Sequence, residues 1–389
     1  MLLPVLKIGR GAAAPPFLVM DVIAAANAKQ ATLPPGAPGI IRMEVGQPGT
    51  GAPAGAVAAA QAALRSGDPL GYTEAFGRAS LRERIAAHYR DWYGLAVSPA
   101  RIAVTVGASG AFPLAFLAAF DPGDRVALAA PFYPPYVNIL TALGMRPVIL
   151  ETGPDTRFQP SVAMLERLDP PPDGLIVASP SNPAGTMLHP EELAAIAAWC
   201  ERAGVRLISD EIYHGLHYDS QIATAAACSP HAVVVNSFSK YFSMTGWRVG
   251  WLLLPEDLVR PVECLAQNLF ISAPHISQVA AEAAFGCDEE LMGNVARYRR
   301  SRDHLLAALP AVGFDRLSPA EGAFYLFADI AERSNDSVAF CARMLAEVGV
   351  AATPGVDFDR GRGNRFVRFS YCGPEADMAA AAARLARWR

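Results

Sequence analysis

Lysine is almost absent from this chain, since only Lys7, Lys29 and Lys240 occur among its 389 residues. Removing these three from the 33 lysine and arginine residues leaves 30 arginines as the main basic residues. Lys240 is therefore not one member of a lysine-rich surface. It follows the apolar run Ala232–Asn236, which we expect to form a buried strand, and it precedes Arg248 by eight positions. These neighbours argue against the exposed surface position that most lysines occupy.

Long apolar runs and a basic excess are also missing. No uninterrupted apolar stretch reaches the ~18 residues that a membrane helix needs. The N-terminal stretch Met1–Lys7 is short and interrupted by Pro4, so we expect no signal peptide and a cytoplasmic location. The net charge of −4 gives no sign of the basic surface that nucleic-acid binding requires. With 52% hydrophobic and 18% charged residues, the composition is typical of a globular enzyme.

Two common cysteine and glycine motifs are absent as well. The six cysteines lie far apart and form no C-x-x-C pair, so we expect neither a disulfide framework nor a metal site. The glycines around Gly107-Ala108-Ser109-Gly110 do not have G-x-G-x-x-G spacing. This argues against a dinucleotide-binding oxidoreductase.

The middle of the chain alternates short β-branched runs with helical stretches. Continuous apolar strands separated by helices predict a mostly parallel sheet covered on both faces, and hence an α/β fold. The seven predicted strands are Ile102–Val106, Arg125–Ala130, Arg146–Leu150, Gly174–Ser179, Val205–Ser209, Ala232–Asn236 and Val249–Leu254. The helices predicted between them include Phe112–Phe120 and Pro190–Ala203.

After Leu254 the pattern changes to longer helical stretches with fewer strands. We expect residues 47–285 to form a large α/β domain, and residues 1–46 and 286–389 to form a smaller α+β domain. The predicted strands of this part are Phe324–Phe327 and Arg365–Ser370. Its predicted helices, together with those that end the large domain, are Pro255–Leu269, Ile276–Phe285, Glu289–Leu309, Ser337–Glu347 and a last helix from Pro374.

Clusters of polar and small residues follow five of the predicted strands. Because ligands of parallel α/β sheets bind beyond the carboxyl ends of the strands, these clusters predict one site. They are Gly107–Gly110, Pro131–Tyr133, Ser179–Pro183, Asp210–Tyr213 and Ser237–Lys240.

Four of the motifs resemble those of the class I and II aminotransferases, which are fold-type I enzymes that use pyridoxal 5′-phosphate. The motifs are Ser-Asn-Pro-Ala-Gly, Asp-Glu-Ile-Tyr, Ser-x-Ser-Lys with an arginine eight residues later, and Arg-Phe-Ser. The resemblance extends from Gly46 to Arg368. It implies that Lys240 carries the cofactor as a Schiff base and moves a proton during the reaction.

The resemblance also implies how the cofactor is held. Asp210 pairs with the pyridine nitrogen and strengthens the ring as an electron sink, while Tyr213 and Asn182 donate to the ring oxygen. Tyr133 stacks on the ring. The phosphate is bound by backbone and side-chain groups of Ala108, Ser109, Ser237, Ser239 and Arg248.

Substrate and partner residues follow from the same resemblance. Arg368 grips the substrate α-carboxylate with two parallel hydrogen bonds, beside Asn182 and the backbone of Gly46. Tyr72 reaches the cofactor phosphate of a neighbouring subunit, which implies a homodimer with composite active sites.

The identity of the substrate stays open at this point. One bacterial subgroup of aspartate-specific relatives has a lysine where this chain has Ser109, so strict aspartate specificity is not expected, and aromatic or aliphatic amino acids fit as well. The favoured reaction is transamination between an L-amino acid and a 2-oxo acid, in two half-reactions through pyridoxamine phosphate. A carbon–sulfur β-lyase on the same fold is the alternative. A non-catalytic regulatory protein is disfavoured, because the roughly 45 residues before the large domain leave no room for a DNA-reading domain.

Overall fold

Seven strands form a central sheet in the computed structural model, which describes residues 6–388. All seven agree with the predicted runs to within one residue at each end. Most of the stretch Met1–Lys7, on which the expectation of no signal peptide rests, lies outside the described residues. The strands of the central sheet and of two smaller sheets are numbered together in chain order. They are β1 (Ile41–Arg42), β2 (Ile102–Thr105), β3 (Arg125–Ala130), β4 (Arg146–Glu151), β5 (Gly174–Ala178), β6 (Arg206–Asp210), β7 (Val233–Ser237), β8 (Gly250–Leu253), β9 (Tyr325–Asp329), β10 (Val350–Ala351), β11 (Thr353–Pro354) and β12 (Phe366–Ser370).

The central sheet has the order β2–β8–β7–β6–β5–β3–β4. Strand β8 is antiparallel to both of its neighbours, and the other pairings are parallel. Successive residues of β7 belong to different buried clusters, with Val234 in one and Val235 in the other. The sheet is therefore covered on both faces, which explains why its strands are apolar throughout.

Helices supply the covering layers. Helix α4 packs against β7, β8 and α9 on one face of the sheet, and it begins at Gly107, five residues before the predicted stretch Phe112–Phe120. The other predicted helices agree with the structure to within one residue at each predicted end, whereas α5, α6 and α8 were not predicted. In chain order the helices are α1 (Leu18–Ala31), α2 (Ala54–Arg65), α3 (Ala79–Tyr93), α4 (Gly107–Ala119), α5 (Pro135–Ala142), α6 (Val162–Leu165), α7 (Pro190–Ala203), α8 (Ala225–Cys228), α9 (Glu256–Leu269), α10 (His275–Ala284), α11 (Asp288–Ala308), α12 (Ser337–Val348) and α13 (Glu375–Leu385).

Two small sheets lie outside the central one, and the first of them connects the N-terminal and C-terminal segments. Strand β1 pairs in parallel with β10, and β12 lies between β11 and β9 in an antiparallel sheet. The mostly parallel α/β sheet with a smaller α+β part is thus present as predicted. The domain boundaries at 46/47 and 285/286 stay a prediction. Within residues 6–388, no helix combines the length and the apolar character needed to cross a bilayer.

Candidate active site

A cavity of about 670 Å³ lies at the carboxyl edge of the central sheet. Each of the five predicted clusters contributes at least one residue to its wall. The lining residues named in the sequence analysis are Gly46, Ala108, Ser109, Tyr133, Asn182, Asp210, Tyr213, Ser239, Lys240, Arg248 and Arg368. The remaining lining residues are Phe17, Val19, Met20, Ile23, Val45, Gln47, Phe112, Tyr136, Ile212, Thr245 and Tyr325.

Lys240 projects into this cavity from the turn that follows β7. Its Nζ atom donates to the carbonyl oxygen of Gly46 at 2.6 Å and lies 5.8 Å from the centre of the Tyr213 ring. Burial lowers the pKa of Lys240 to about 8, and the charges of Arg368 and Arg248 act in the same direction. A substantial fraction of this amine is therefore neutral near pH 8 and able to act as a nucleophile or a base.

Asp210 forms the floor of the cavity at the end of β6, where it is almost fully buried. Its Oδ2 atom accepts a hydrogen bond from the Tyr136 hydroxyl, and its Oδ1 atom accepts from the backbone N–H of Ile212 at 3.1 Å. Burial raises the pKa of Asp210 to about 6, although both hydrogen bonds and the charge of Lys240 lower it. The carboxylate is thus mostly ionised at neutral pH, and a cationic partner would stabilise it further.

The start of helix α4 and Arg248 together form one end of the cavity. Gly107 begins the helix with a φ of +65°, and a Cβ at this position would lie 2.6 Å from Nη2 of Arg248. Arg248 donates to the Thr245 carbonyl at 2.9 Å and to Ser109 Oγ at 3.4 Å. The first N–H groups of a helix lack intrahelical partners, so this end offers backbone donors beside a guanidinium.

Ser239 lines the same end of the cavity, whereas Ser237 does not. The Ser237 hydroxyl instead bonds to Ser239 Oγ at 2.9 Å, to the Ser239 N–H at 3.1 Å and to the Val249 carbonyl at 3.2 Å. Ser237 is almost fully buried. The structure therefore gives Ser237 a supporting position behind Ser239.

Arg368 forms another end of the cavity, from the middle of β12. It is 2% exposed, and it donates to Asn182 Oδ1 at 2.8 Å, to Thr353 Oγ1 at 3.1 Å and to the Glu44 carbonyl. Its guanidinium carbon lies 4.5 Å from the centre of the Tyr325 ring. Its Nε atom is buried without a hydrogen-bond partner.

Neither arginine of the cavity is neutralised by an acid. Among residues 6–388, all contacts of Arg248 and Arg368 within hydrogen-bonding distance are to neutral oxygens. Arg368 is buried and Arg248 is half-buried, and a cation that is removed from water without a carboxylate partner is costly unless an anion binds to it. The two ends of the cavity are therefore suited to two separate anionic groups.

Gly46 and Tyr325 approach each other closely beside Lys240. A Cβ on Gly46 would overlap the Tyr325 hydroxyl oxygen and lie 2.8 Å from Cζ of the same ring. The Tyr325 hydroxyl in turn lies 2.7 Å from the hydroxyl of Tyr213. Glycine is required at position 46 because the backbone must pass directly over this phenol.

Helix α1 covers the cavity with an apolar surface. Its contributing residues are Phe17, Val19, Met20 and Ile23, which we call the roof. The Phe17 ring packs edge-on against Tyr133, with 5.8 Å between ring centres. Among the described lining residues, the cations are Lys240, Arg248 and Arg368 and the only carboxylate is Asp210, so no charged group belongs to the roof.

Tyr72 is a predicted site residue that lies outside the cavity wall of its own chain. Its side chain is 83% exposed and does not line the cavity wall. The role that the resemblance gives it requires a second subunit, and it stays a prediction.

Several lining residues were not predicted from the sequence. Tyr136 lies in the first turn of α5, just beyond the predicted cluster Pro131–Tyr133, and no sequence motif includes it. Tyr325 alternates with apolar residues in β9, which is a weak signal. The roof residues gave no signal, because helix α1 has hardly any amphipathic pattern to show which face it buries.

Comparison with known proteins agrees with this geometry. The model of the family "Aminotransferase class I and II" matches residues 38–385. The chain is 50% identical over 386 residues to a valine–pyruvate aminotransferase of Mycobacterium tuberculosis, a match covering 98% of each sequence. It is 34% identical to an aspartate/prephenate aminotransferase of Thermus thermophilus, covering 93% of this chain and 94% of the relative.

A solved structure is similarly close. The crystal structure of an aminotransferase from Mycobacterium tuberculosis superimposes with a TM-score of 0.96 at 50% identity and covers 99% of both chains. These relatives are aminotransferases, which supports transamination over the alternatives of a β-lyase and a regulatory protein. The chain belongs to the class I and II aminotransferases, a family of pyridoxal phosphate-dependent enzymes that transfer an amino group between an amino acid and a 2-oxo acid.

Proposed function

We propose that this enzyme transfers the amino group of an aliphatic L-amino acid, with valine as the reference donor, to a short 2-oxo acid such as pyruvate. The reaction takes place in the cavity around Lys240, in two half-reactions that use the same residues. The observation that carries the proposal is the apolar roof of helix α1. In addition, each of the three cations among the described lining residues has another role, so none of them is left to pair with an acidic substrate side chain.

The residues of the cavity fit pyridoxal 5′-phosphate. The free N–H groups of α4, the Ser239 hydroxyl and Arg248 would hold its phosphate, and Asp210 would pair with its ring nitrogen. The close approach of Gly107 to Arg248 supports this assignment, since a side chain there would fill the space next to the guanidinium. When bound, the cofactor supplies an electron sink that makes the Cα–H bond of an amino acid acidic.

Lys240 acts as the base of the reaction in this proposal. Its amine, with a pKa of about 8, accepts the proton from the substrate Cα and returns it on the cofactor side. The Gly46 carbonyl, 2.6 Å from Nζ, orients the amine. Tyr213 and Tyr325 form a hydroxyl pair beside it, and burial raises the pKa of Tyr213 well above its ordinary value. Tyr213 therefore stays a protonated donor throughout the reaction.

Arg368 binds the substrate α-carboxylate. Its guanidinium carbon lies 4.5 Å from the centre of the Tyr325 ring, and its Nη1 atom is fixed by Asn182. A planar guanidinium can offer two parallel N–H groups to a carboxylate, and its burial strengthens the interaction. Because every amino acid and every 2-oxo acid has this carboxylate, the same contact serves both the donor and the acceptor.

The donor side chain contacts the roof. Once Arg248 binds the phosphate, Arg368 the α-carboxylate and Lys240 the reacting atoms, the described lining residues hold no further cation for a side-chain carboxylate. Burying a carboxylate against Val19 and Met20 without a partner would cost several kcal/mol. The valine–pyruvate aminotransferase of Mycobacterium tuberculosis, which is 50% identical, supports an aliphatic donor.

A single-turnover screen tests the donor. Purified holoenzyme is mixed with valine, alanine, phenylalanine or aspartate, and the loss of cofactor absorbance is followed without any 2-oxo acid. Valine is expected to react at least about tenfold more efficiently than aspartate, which corresponds to about 1.4 kcal/mol. A preference for aspartate would contradict the proposal.

The enzyme is further proposed to act as a cytoplasmic homodimer. Large exposed side chains occur on the loop before α3 (Tyr72) and at the end of α9 with the loop that follows it (Leu269, Phe270 and Ile271). The hydrogen bond from Thr73 N–H to Ser272 Oγ at 3.4 Å connects these two segments. The Phe270 ring reaches the first turn of α4 near Gly110. An exposed apolar patch next to the phosphate end is suited to a second copy of the chain, which would bring Tyr72 to the partner's cavity.

Mixed dimers test this arrangement. Lys240→Ala and Tyr72→Ala subunits are each expected to be poorly active alone. Co-refolded or co-expressed, they should form hybrids in which one of the two sites has both native residues, so activity returns toward half of the wild-type value per hybrid. No recovery from verified hybrids would contradict a composite site.

A further inference from the structure

Helix α1, which carries the roof, begins without a capping side chain of its own. Its N-cap residue is Phe17, whose side chain has no hydrogen-bond acceptor. Two of the free N–H groups are instead bound by one distant carboxylate. Oδ1 of Asp357 accepts from Leu18 N–H at 3.0 Å, and Oδ2 accepts from Val19 N–H at 3.1 Å. The two residues that are joined in this way lie more than 330 positions apart in the sequence.

Asp357 lies directly beside the small sheet that contains the substrate arginine. It ends a short 3₁₀ turn, Gly355–Asp357, that directly follows β11. In that strand Thr353 lies opposite Arg368 and accepts from its Nη2 atom at 3.1 Å. The next residue, Phe358, is fully buried with its ring 4.7 Å from the Arg368 guanidinium. A short buried segment therefore connects the carboxylate-binding end of the cavity to the start of α1.

The cap fixes the end of α1 that covers the cavity. Farther along the helix, Ala26 packs against Leu345 and Ala351, which anchors its middle. Toward the cavity, Met20 remains 58% exposed and Val19 contacts the open space. The hydrogen bonds of Asp357 are thus the polar contacts that hold the first turn of α1 at its present height above the substrate space.

We propose that Asp357 is a positioning residue for side-chain selection, because its carboxylate holds the roof at the height at which an aliphatic donor makes contact. Asp357 does not line the cavity and touches no substrate atom. The inference rests on the proposed function, since it assumes that the donor side chain contacts the roof.

Asparagine replacements provide a matched pair of variants. At position 357 both carboxylate oxygens accept from N–H groups, so Asp357→Asn must direct an amide NH₂ toward one of them. Asp336 also caps a helix, α12, but only its Oδ1 atom is used, toward Ala339 N–H at 3.0 Å. Asn is as good an N-cap as Asp, so Asp336→Asn retains its cap and serves as the control. Asp357→Ala, which removes the acceptors without adding a donor, is the second test variant.

The first measurement is hydrogen exchange of the α1 amides in the holoenzyme, which needs no substrate. Asp357→Asn and Asp357→Ala are expected to accelerate exchange in the first turns of α1 about tenfold, while Asp336→Asn leaves them unchanged. Thermal unfolding of each variant checks that the rest of the chain stays folded. Unchanged exchange in both Asp357 variants would overturn the inference.

The second measurement compares valine with alanine, whose methyl group is too short to depend on the roof. Loss of the cap is expected to lower kcat/KM for valine about tenfold, mainly through KM, and to lower it for alanine less than about threefold. An equal decrease for both donors would overturn the inference and leave Asp357 a merely structural residue. Failure of the proposed function would be seen in a different measurement, the single-turnover screen, as a preference of the wild-type enzyme for aspartate over valine.

Discussion

Nη1 of Arg368 donates to Oδ1 of Asn182 at 2.8 Å, which joins strand β12 to the loop that follows β5. The Tyr325 and Phe358 rings lie 4.5 and 4.7 Å from the same guanidinium. These contacts, with the hydrogen bonds to Thr353 and Glu44, hold the arginine in place before any substrate arrives. Such preorganisation lowers the entropic cost of binding a carboxylate.

The first prediction concerns this arginine. Arg368→Lys retains the charge but replaces the planar two-donor group with a single ammonium, so we expect KM for the donor to rise at least about tenfold. Steady-state kinetics with valine measure the effect. Arg365→Lys is the control, since Arg365 is partly exposed in the same segment and pairs with Asp329 outside the cavity. A KM equal to that of the wild type would remove Arg368 from the proposed role.

The second prediction concerns the close approach of Gly46 to Tyr325. Gly46→Ala would force the new methyl group into the phenol ring and displace the carbonyl that binds Lys240, so kcat/KM should fall by more than about tenfold. A double variant that also carries Tyr325→Phe lacks the hydroxyl oxygen that the new methyl group would overlap, and it should recover part of the lost kcat/KM. Gly51→Ala has open space and an ordinary φ, and it should behave as the wild type. Full activity of the Gly46 variant would show that the backbone there can move freely.

The third prediction concerns Tyr136, which the sequence did not indicate. Tyr136→Phe removes the hydroxyl that donates to Asp210, so the pKa of Asp210 should rise above about 6 and less of it should be ionised at pH 7. We expect the dissociation constant of pyridoxal phosphate to increase about tenfold, consistent with a hydrogen bond to a charged group. Tyr218→Phe, which removes a buried hydroxyl outside the cavity, should affect stability alone. An unchanged dissociation constant at Tyr136→Phe would refute the coupling.

The fourth prediction concerns pH. Burial lowers the pKa of Lys240 from 10.5 to about 8, and only the neutral amine has a lone pair for attack on an aldehyde. Attachment of pyridoxal phosphate to the cofactor-free protein should therefore accelerate about tenfold between pH 7 and pH 9 and then level off. Stopped-flow absorbance gives the rate constants. A rate that keeps rising toward pH 10.5 would indicate an ordinary, solvated lysine.

The central sheet could be predicted because its strands are short and continuously apolar. Runs such as Ala232–Asn236 have one possible environment, which is a strand covered on both faces. The helix Pro190–Ala203 was also clear, since a proline and two acids mark its first turn. Short strands such as β1 and β11 lack such signals. Each of these strands has only two residues, and its pairing depends on contacts between distant parts of the chain.

The site residues also fall into two groups, those that a local sequence pattern indicates and those that it does not. Asp210 and Lys240 lie in short motifs at strand ends, where topology alone brings them together. Tyr136, Asp357 and the roof depend instead on how α5, β11 and α1 pack, which no local pattern encodes. Asp357 is the clearest case, because its partners Leu18 and Val19 lie at the other end of the sequence.

The most direct test of the account is the chemical identity of the lysine that holds the cofactor. Holoenzyme is reduced with borohydride, digested and analysed by peptide mass spectrometry. With three lysines in the chain, the outcome is unambiguous. The account predicts that the peptide containing Lys240 carries the mass of the reduced cofactor and that Lys7 and Lys29 do not. A Lys240 peptide of unmodified mass from fully reduced holoenzyme would contradict it.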